Sequence, residues 1–235
     1  MKATALVLFG KVPLPGRVKT RLASSIGPEN AALLSESFLR DASRGCASLA
    51  AGRSPGQVAP VLAAEPPHDP FWAGAFPPPW RIEPQGEGDL GRRLARAFER
   101  EFQKYERVAV LGSDHPGLPL SEFGRFLDSP NAIWPTRDGG YAALILERTS
   151  GAARLFENVE WSTPAVLDQT LERARRSSIE LEIFPETYDV DREDDLETLA
   201  RDLEERDPAA PGFPRATWEA LSALRPRRAG ARRTK

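Results

Sequence analysis

Apolar stretches of two different periods alternate along the chain. Residues 3–9 form a near-continuous apolar run of strand length, closed by Gly10-Lys11, and read as a buried strand. Residues 31–49 follow with apolar positions at helical spacing, Leu34, Phe38 and Ala42. Residues 58–63 and 80–84 are the next strand candidates, separated by a loop carrying Pro66, Pro67, Pro70, Pro77, Pro78 and Pro79. A helix is predicted to open at Asp89, which is placed to cap it, with Leu90, Leu94, Phe98 and Phe102 on its apolar face. Residues 107–112 read as a short buried strand, and Ser121 is expected to cap a brief helix through Leu127. Residues 132–135 and 141–146 look like two strands around a polar turn. Residues 163–176 are expected to be helical, with Ser162 or Thr163 as cap, and residues 179–184 alternate as a strand. An amphipathic acidic helix over 194–205 and a last helix around 218–224 complete the pattern.

Successive βα units imply an α/β fold with a mainly parallel sheet and helices on both faces; the late hairpin-like pair makes the sheet mixed. The chain shows no internal repeat and no clear linker, so residues 1–224 are expected to form a single domain. In such sheets ligands sit beyond the carboxyl ends of the strands, at a topological switch point.

Composition narrows the class without choosing a chemistry. The 235 residues are 40% hydrophobic, enough for a sizeable core without covalent staples. A single cysteine, Cys46, rules out an internal disulfide framework and fits a reducing compartment; its Ala-rich helical surroundings suit a small buried hydrophobe. No apolar run approaches a membrane span, and the first is too short for a signal peptide, so a cytoplasmic location is expected. The net charge is −2, yet Arg225, Arg227, Arg228, Arg232, Arg233 and Lys235 gather at the end, leaving an acidic body. The basic tail, 225–235, has no apolar face and is expected to be disordered. The acidic body argues against nucleic acid as the main partner.

Chemistry concentrates directly after strands. Phe9-Gly10-Lys11 leads into a loop shaped by Pro13, Pro15 and Gly16, followed by Arg17, Lys19 and Arg21. Three cations at alternate positions beside exposed backbone N–H groups suit a polyphosphate. The loop lacks the Gly-Lys-Ser/Thr ending of a P-loop, and its prolines do not fit a dinucleotide fingerprint. Gln85-Gly86-Glu87-Gly88-Asp89 places glycines before a helix, where a ligand can approach the backbone, and Gln85 could read a base edge. Asp89 alone is more simply explained as a helix cap. The strand over 107–112 delivers Asp114, a hard oxygen donor suited to a divalent metal that shares its shell with phosphate and water. His115 beside it suits the turn better than a general base. Asp138-Gly139-Gly140-Tyr141 can be merely a tight turn, since Asp-Gly and Gly-Gly favour such geometry. Asp189 and Asp191 would share one face of a strand, although Asp191 could instead cap the following helix.

Taken in order, the segment 16–22, Gly88-Asp89-Leu90-Gly91-Arg92-Arg93-Leu94, Gly112-Ser113-Asp114, Asp138-Gly139-Gly140-Tyr141, Trp161-Ser162-Thr163 and Asp189-Val190-Asp191 resemble the radical-SAM/selenodomain-associated transferase family. These are glycosyltransferase-like proteins related to 2-phospho-lactate guanylyltransferase, and the resemblance spans about residues 3–200. It implies a glycosyltransferase A type fold: a Rossmann-like mixed sheet that uses a nucleotide donor with Mg²⁺ or Mn²⁺. By that resemblance the loop with Arg17, Lys19 and Arg21 holds the donor's phosphates; the segments themselves add Phe9, Gly10, Lys11, Gly16, Gln85, Gly88 and Asp89 as candidates for the nucleotide site. Asp114 takes the metal-binding position, Asp191 is the second metal carboxylate, and Asp138 positions or deprotonates an acceptor. The family pattern Gly-Ser-Asp-Ser-Pro-Asp-Leu reads here with His115 and Gly117 at its variable places, and Trp134-Pro135 replaces a Gly-Pro.

The expected function is metal-dependent transfer from a nucleotide donor to a small-molecule acceptor. Glycosyl transfer from a nucleoside-diphosphate sugar is slightly favoured, and nucleotidyl transfer from a nucleoside triphosphate is the alternative. The departures at His115, Gly117 and Trp134 motivate a third reading, a nucleotide-binding protein without catalysis.

Overall fold

The structure, a computed structural model, describes residues 3–148 and 151–224; the basic tail expected at 225–235 lies outside the described residues. Seven strands form one sheet: β1 (Thr4–Lys11), β2 (Val58–Glu65), β3 (Arg81–Pro84), β4 (Arg107–Gly112), β5 (Ala132–Pro135), β6 (Tyr141–Glu147) and β7 (Glu182–Ile183). Their order is β3-β2-β1-β4-β6-β5-β7. β1 runs parallel to both β2 and β4, whereas β6 is antiparallel to β4 and β5. The sheet is therefore mixed and mainly parallel, as the alternation of periods implies.

Among the described residues, eight α-helices surround it: α1 (Thr20–Ile26), α2 (Pro28–Ala51), α3 (Phe71–Ala75), α4 (Leu90–Phe102), α5 (Leu120–Asp128), α6 (Val166–Arg176), α7 (Glu193–Glu204) and α8 (Arg215–Leu224). Alternate residues of the central strands serve opposite faces. Leu6 and Leu8 pack with Leu39 and Cys46 of α2 and with Phe123 and Phe126 of α5. Ala5 and Val7 face Leu94 and Phe98 of α4 and Ala174 of α6. Burial on both sides explains why β1, β2 and β4 read as continuous apolar runs rather than alternating ones. A third apolar cluster joins Leu22 of α1, Leu34 and Phe38 of α2, Leu199 and Leu203 of α7 and Leu221 of α8.

Several local expectations are corrected. Ser121 lies inside α5, whose N-cap position is Pro119. Leu90 is the first residue of α4 and is 47% exposed, because the helix begins beyond the edge of the core. The helix expected from residue 163 starts at Val166; Ser162 adopts a left-handed φ of 65°, and Thr163 accepts the N–H of Ala165. Only Glu182–Ile183 pairs as β7, beside β5 at the sheet edge. α1, α3 and a 3-10 turn over Ala152–Phe156 were not anticipated, all being too short to show a period.

β1 continues to β2 on one side, and β3 crosses back to β4 on the other. The switch point thus lies between the carboxyl ends of β1 and β4. Because β6 runs backwards, β5 points the same way as β1, and the turn after it opens on the same edge.

Candidate functional site

The loop leaving β1 is built by its prolines and by a turn in which Arg17 N–H donates to the carbonyl of Leu14, with Gly16 at φ 72°. It ends at Lys19, the N-cap of α1, whose backbone is left-handed (φ 47°, ψ 43°). A side chain in that region costs about 1–2 kcal/mol, so something must hold it. The Lys19 ammonium lies 2.8 Å from Asp191 Oδ1 and 3.0 Å from Asp114 Oδ2, with its side chain only 4% exposed. The ring of Phe38 lies 5.9 Å away.

Two backbone features bring these carboxylates together. Asp114 follows β4, and its carbonyl accepts the N–H of Val190 at 3.1 Å, which seats the 189–191 segment beside the strand end. Asp195 Oδ2 then accepts the N–H groups of Asp191 and Arg192 at 2.9 and 2.7 Å. The cap of α7 comes from Asp195, leaving the Asp191 carboxylate to Lys19.

Electrostatics follow the geometry. Burial lowers the pKa of Lys19, but the charges of Asp114 and Asp191 outweigh it, and the net value rises. Burial raises Asp191, yet Lys19 holds it below the usual range. Asp189 has no such cation: burial, with Asp191 and Asp138 nearby, pushes its carboxyl up to about 6. His115 is held below its ordinary value by burial, and its Nδ1 lies 3.2 Å from the carbonyl of Tyr188. It fixes the turn after β4 to the 188–191 segment.

A cleft of about 260 Å³ opens beside this pair, lined by Lys11, Arg17, Arg21, Ser35, Ser113 and Asp114, together with Lys19 and Asp191. Lys11, Arg17 and Arg21 are exposed, and their side chains make no ion pair among the described residues. Six residues expected in the site, Lys11, Arg17, Lys19, Arg21, Asp114 and Asp191, are thus brought together. Ser35 was missed; its only signal is a hydroxyl within the apolar face of α2 between Leu34 and Phe38.

Other expected residues stand apart from the cleft. Gln85 is buried, and its amide donates to the carbonyls of Gly10 and Ala63 at 2.9 and 3.0 Å while accepting from Arg93. Its amide N–H groups tie the loop before α4 to the sheet, and its carbonyl ties the same loop to Arg93 of α4. Asp89 caps α4 by accepting the N–H of Arg92, and Gly88, at φ 98°, forms the turn before it. Phe9 packs against the α4 side of the sheet, and Gly10 has Leu62 and Trp72 pressed against it. Gly16 shapes the loop without lining the cleft. Asp138 accepts Thr136 Oγ1 at 2.6 Å and the N–H of Gly140 at 3.0 Å, beside Gly139, where a Cβ would run into the backbone of Pro164. A second cavity of about 480 Å³ lies between Asp89, Gly91 and Arg92 of the α4 entry and Phe156, Asn158 and Trp161.

The donor set suits a hard divalent cation in part. Two carboxylate oxygens converge on one cationic centre, and their side chains, 44% and 36% exposed, remain open to phosphate and water oxygens. No group of three His, Cys, Asp or Glu among the described residues is arranged to hold a metal unaided. A metal held by these two carboxylates would need its remaining ligands from phosphate or water oxygens.

The likeness to known proteins follows the same frame. The crystal structure of a "putative nucleotide-diphospho-sugar transferase" from Desulfovibrio desulfuricans G20 matches with a TM-score of 0.80 and 28% identity, over 95% of this chain and 97% of that one. The mixed seven-stranded sheet is the fold of that structure. Residues 49–163 also match the model of a family described as "Uncharacterized protein conserved in bacteria (DUF2064)". CMP:2-keto-3-deoxy-manno-octonic acid synthetase complexed with CTP is similar at a TM-score of 0.48 and 13% identity, over 87% of this chain and 100% of that one. A Mycobacterium tuberculosis H37Rv protein is similar at 0.47 and 16%, over 85% and 98%. No curated protein matches the sequence. No helix among the described residues is long and apolar enough to cross a membrane.

Proposed function

We propose that this chain is a nucleotide-dependent transferase whose donor phosphates lie in the cleft at the β1–β4 switch point. One observation carries the reading: Lys11, Arg17 and Arg21, without ion-pair partners among the described residues, face two carboxylates gathered at one point. Cations of this kind serve a ligand rich in negative oxygens, and paired carboxylates beside them serve the metal that accompanies it. The likeness to the Desulfovibrio protein, whose description names a nucleotide-diphospho-sugar donor, supports the same class.

In this reading Asp114 and Asp191 hold Mg²⁺ or Mn²⁺, which when bound offsets charge building on the phosphates. Arg17, Arg21 and Lys11 neutralise the remaining charge. The family resemblance assigns Asp138, which Thr136 and Gly140 fix outside the cleft lining, to the acceptor side. An acceptor hydroxyl reaching from it to the donor would be oriented there and would give up its proton to it. In glycosyl transfer that hydroxyl oxygen bonds to the anomeric carbon as the bond to the nucleoside diphosphate breaks. The resemblance to the glycosyltransferase-like family favours this form. Nucleotidyl transfer is the second reading, supported by a loop carrying more cations than a diphosphate needs.

A thermal-shift panel tests the proposal. Nucleoside triphosphates and nucleotide sugars are each added with and without Mg²⁺ or Mn²⁺; a ligand at a hundred times its Kd adds about 2.7 kcal/mol. Metal-dependent stabilisation by nucleotide sugars supports glycosyl transfer, and stabilisation by triphosphates alone supports the second reading. No shift with any nucleotide overturns both. Binding without turnover across acceptors leaves a nucleotide-binding protein.

A further inference from the structure

We propose that Lys19 and the divalent cation are alternative occupants of the Asp114–Asp191 pair, so that metal loading releases Lys19 towards the donor's phosphates. The inference rests on the nucleotide-transferase reading and adds a coupling device to its site. The ammonium stands where the two carboxylates converge, at 2.8 and 3.0 Å. Those are hydrogen-bond lengths to oxygens that a small divalent cation would approach to about 2.0–2.1 Å. A dication and an ammonium sharing those two oxygens would repel strongly in a partly buried site, so one displaces the other.

The placement makes displacement feasible. Asp114 and Asp191, 44% and 36% exposed, line the cleft together with Lys19, whose side chain is 4% exposed. The ring of Phe38 is the ammonium's aromatic neighbour, and among the described residues its ion pairs are with these two carboxylates. The left-handed backbone at Lys19 aims its side chain at the two carboxylates, and loss of the double ion pair frees that side chain to turn elsewhere. Lys19 therefore reaches a phosphate in the same cleft only after giving up the carboxylates. Metal and nucleotide should then bind with positive coupling, each favouring the arrangement the other needs.

The first test uses the wild-type chain and acetic anhydride, with acetylation read by mass spectrometry. Without metal, Lys19 should resist acetylation while exposed Lys11 and Lys104 react. Mn²⁺ alone should raise Lys19 labelling and leave Lys104 unchanged. The second test measures Mn²⁺ affinity by electron paramagnetic resonance. A competing internal occupant raises the apparent Kd to the intrinsic Kd divided by the fraction of time the site is free, so with Lys19 bound about nine-tenths of the time K19M should bind Mn²⁺ about tenfold tighter. R21M removes a cation that influences Asp191 only at longer range, with no ion pair to either carboxylate, and should change affinity far less. Unchanged Lys19 labelling with bound Mn²⁺ overturns the exchange. So does equal tightening in K19M and R21M, which indicates general electrostatics, or absence of Mn²⁺ binding in every form. Should K19M fail to fold, the wild-type labelling decides alone. Nucleotide stabilisation is measured separately, so the exchange can fail while nucleotide binding stands, and the reverse.

Discussion

Asp195 hydrogen-bonds the backbone N–H of Asp191, at 2.9 Å, and so frees the Asp191 carboxylate for Lys19. One carboxylate ends a helix and its neighbour serves the cleft. Asp195→Ala should lower stability by about 1 kcal/mol through the lost cap. It should also weaken Mn²⁺ binding, because Asp191 loses the hold on its backbone. Asp195→Asn keeps an acceptor and should restore both. Thermal unfolding and Mn²⁺ titration check this, and unaltered metal affinity in the alanine variant would separate the cap from the site.

Gln85 offers a contrast between architecture and recognition. Gln85→Leu leaves the carbonyls of Gly10 and Ala63 without this donor, and Arg93 without this acceptor. Buried groups stranded in this way cost about 1–3 kcal/mol. Stability should fall while the ranking of bases in nucleotide titrations stays as in wild type. A changed ranking would return Gln85 to the base-reading role its sequence position suggests.

At Gly91 the usual helix rule should reverse sign. Replacing a helical glycine with alanine ordinarily gains about 1 kcal/mol. Here a Cβ would overlap the indole of Trp161, which closes over the start of α4. Gly91→Ala is expected to destabilise by about 1–3 kcal/mol. Much of that loss should disappear in the Trp161→Ala background, as a double-mutant cycle in urea would show.

The pH dependence carries a further signature. Asp189 is partly buried with Asp191 and Asp138 nearby, and its carboxyl is pushed up to about 6 from an ordinary value near 4. A raised acid favours the protonated form in the fold, so its contribution is present below the ordinary value and disappears as pH rises through about 6. Asp189→Asn should therefore flatten the fall in stability across roughly pH 4–6 and melt higher than wild type at pH 7, in metal-free buffer. Parallel pH profiles for the two proteins would sink the assignment.

The main frame was legible because β1, β2 and β4 are buried on both faces, and α2 and α4 carry long apolar stripes. The gathering of Asp114 and Asp191 with the basic loop was legible only as an ordered set of segments, since residue type and strand ends mark each one separately. Their meeting through Lys19 depends on a left-handed residue and on a carbonyl of Asp114, neither of which has a side-chain signature. Gln85 illustrates the converse. A polar side chain after a strand looks like a ligand contact until its carbonyl partners, distant in sequence, are seen. Short elements such as α1 and α3 carry too few residues for a period to emerge.

The reversed course of β6 means that the segments after β1, β3, β4 and β5 all open on one edge of the sheet. Residues 52–57, 103–106 and 129–131 enter β2, β4 and β5 from the other edge, remote from Lys19 and its carboxylates. That far edge is the molecule's natural handle: a tether, label or fused partner fixed there would leave the mouth of the cleft facing solution.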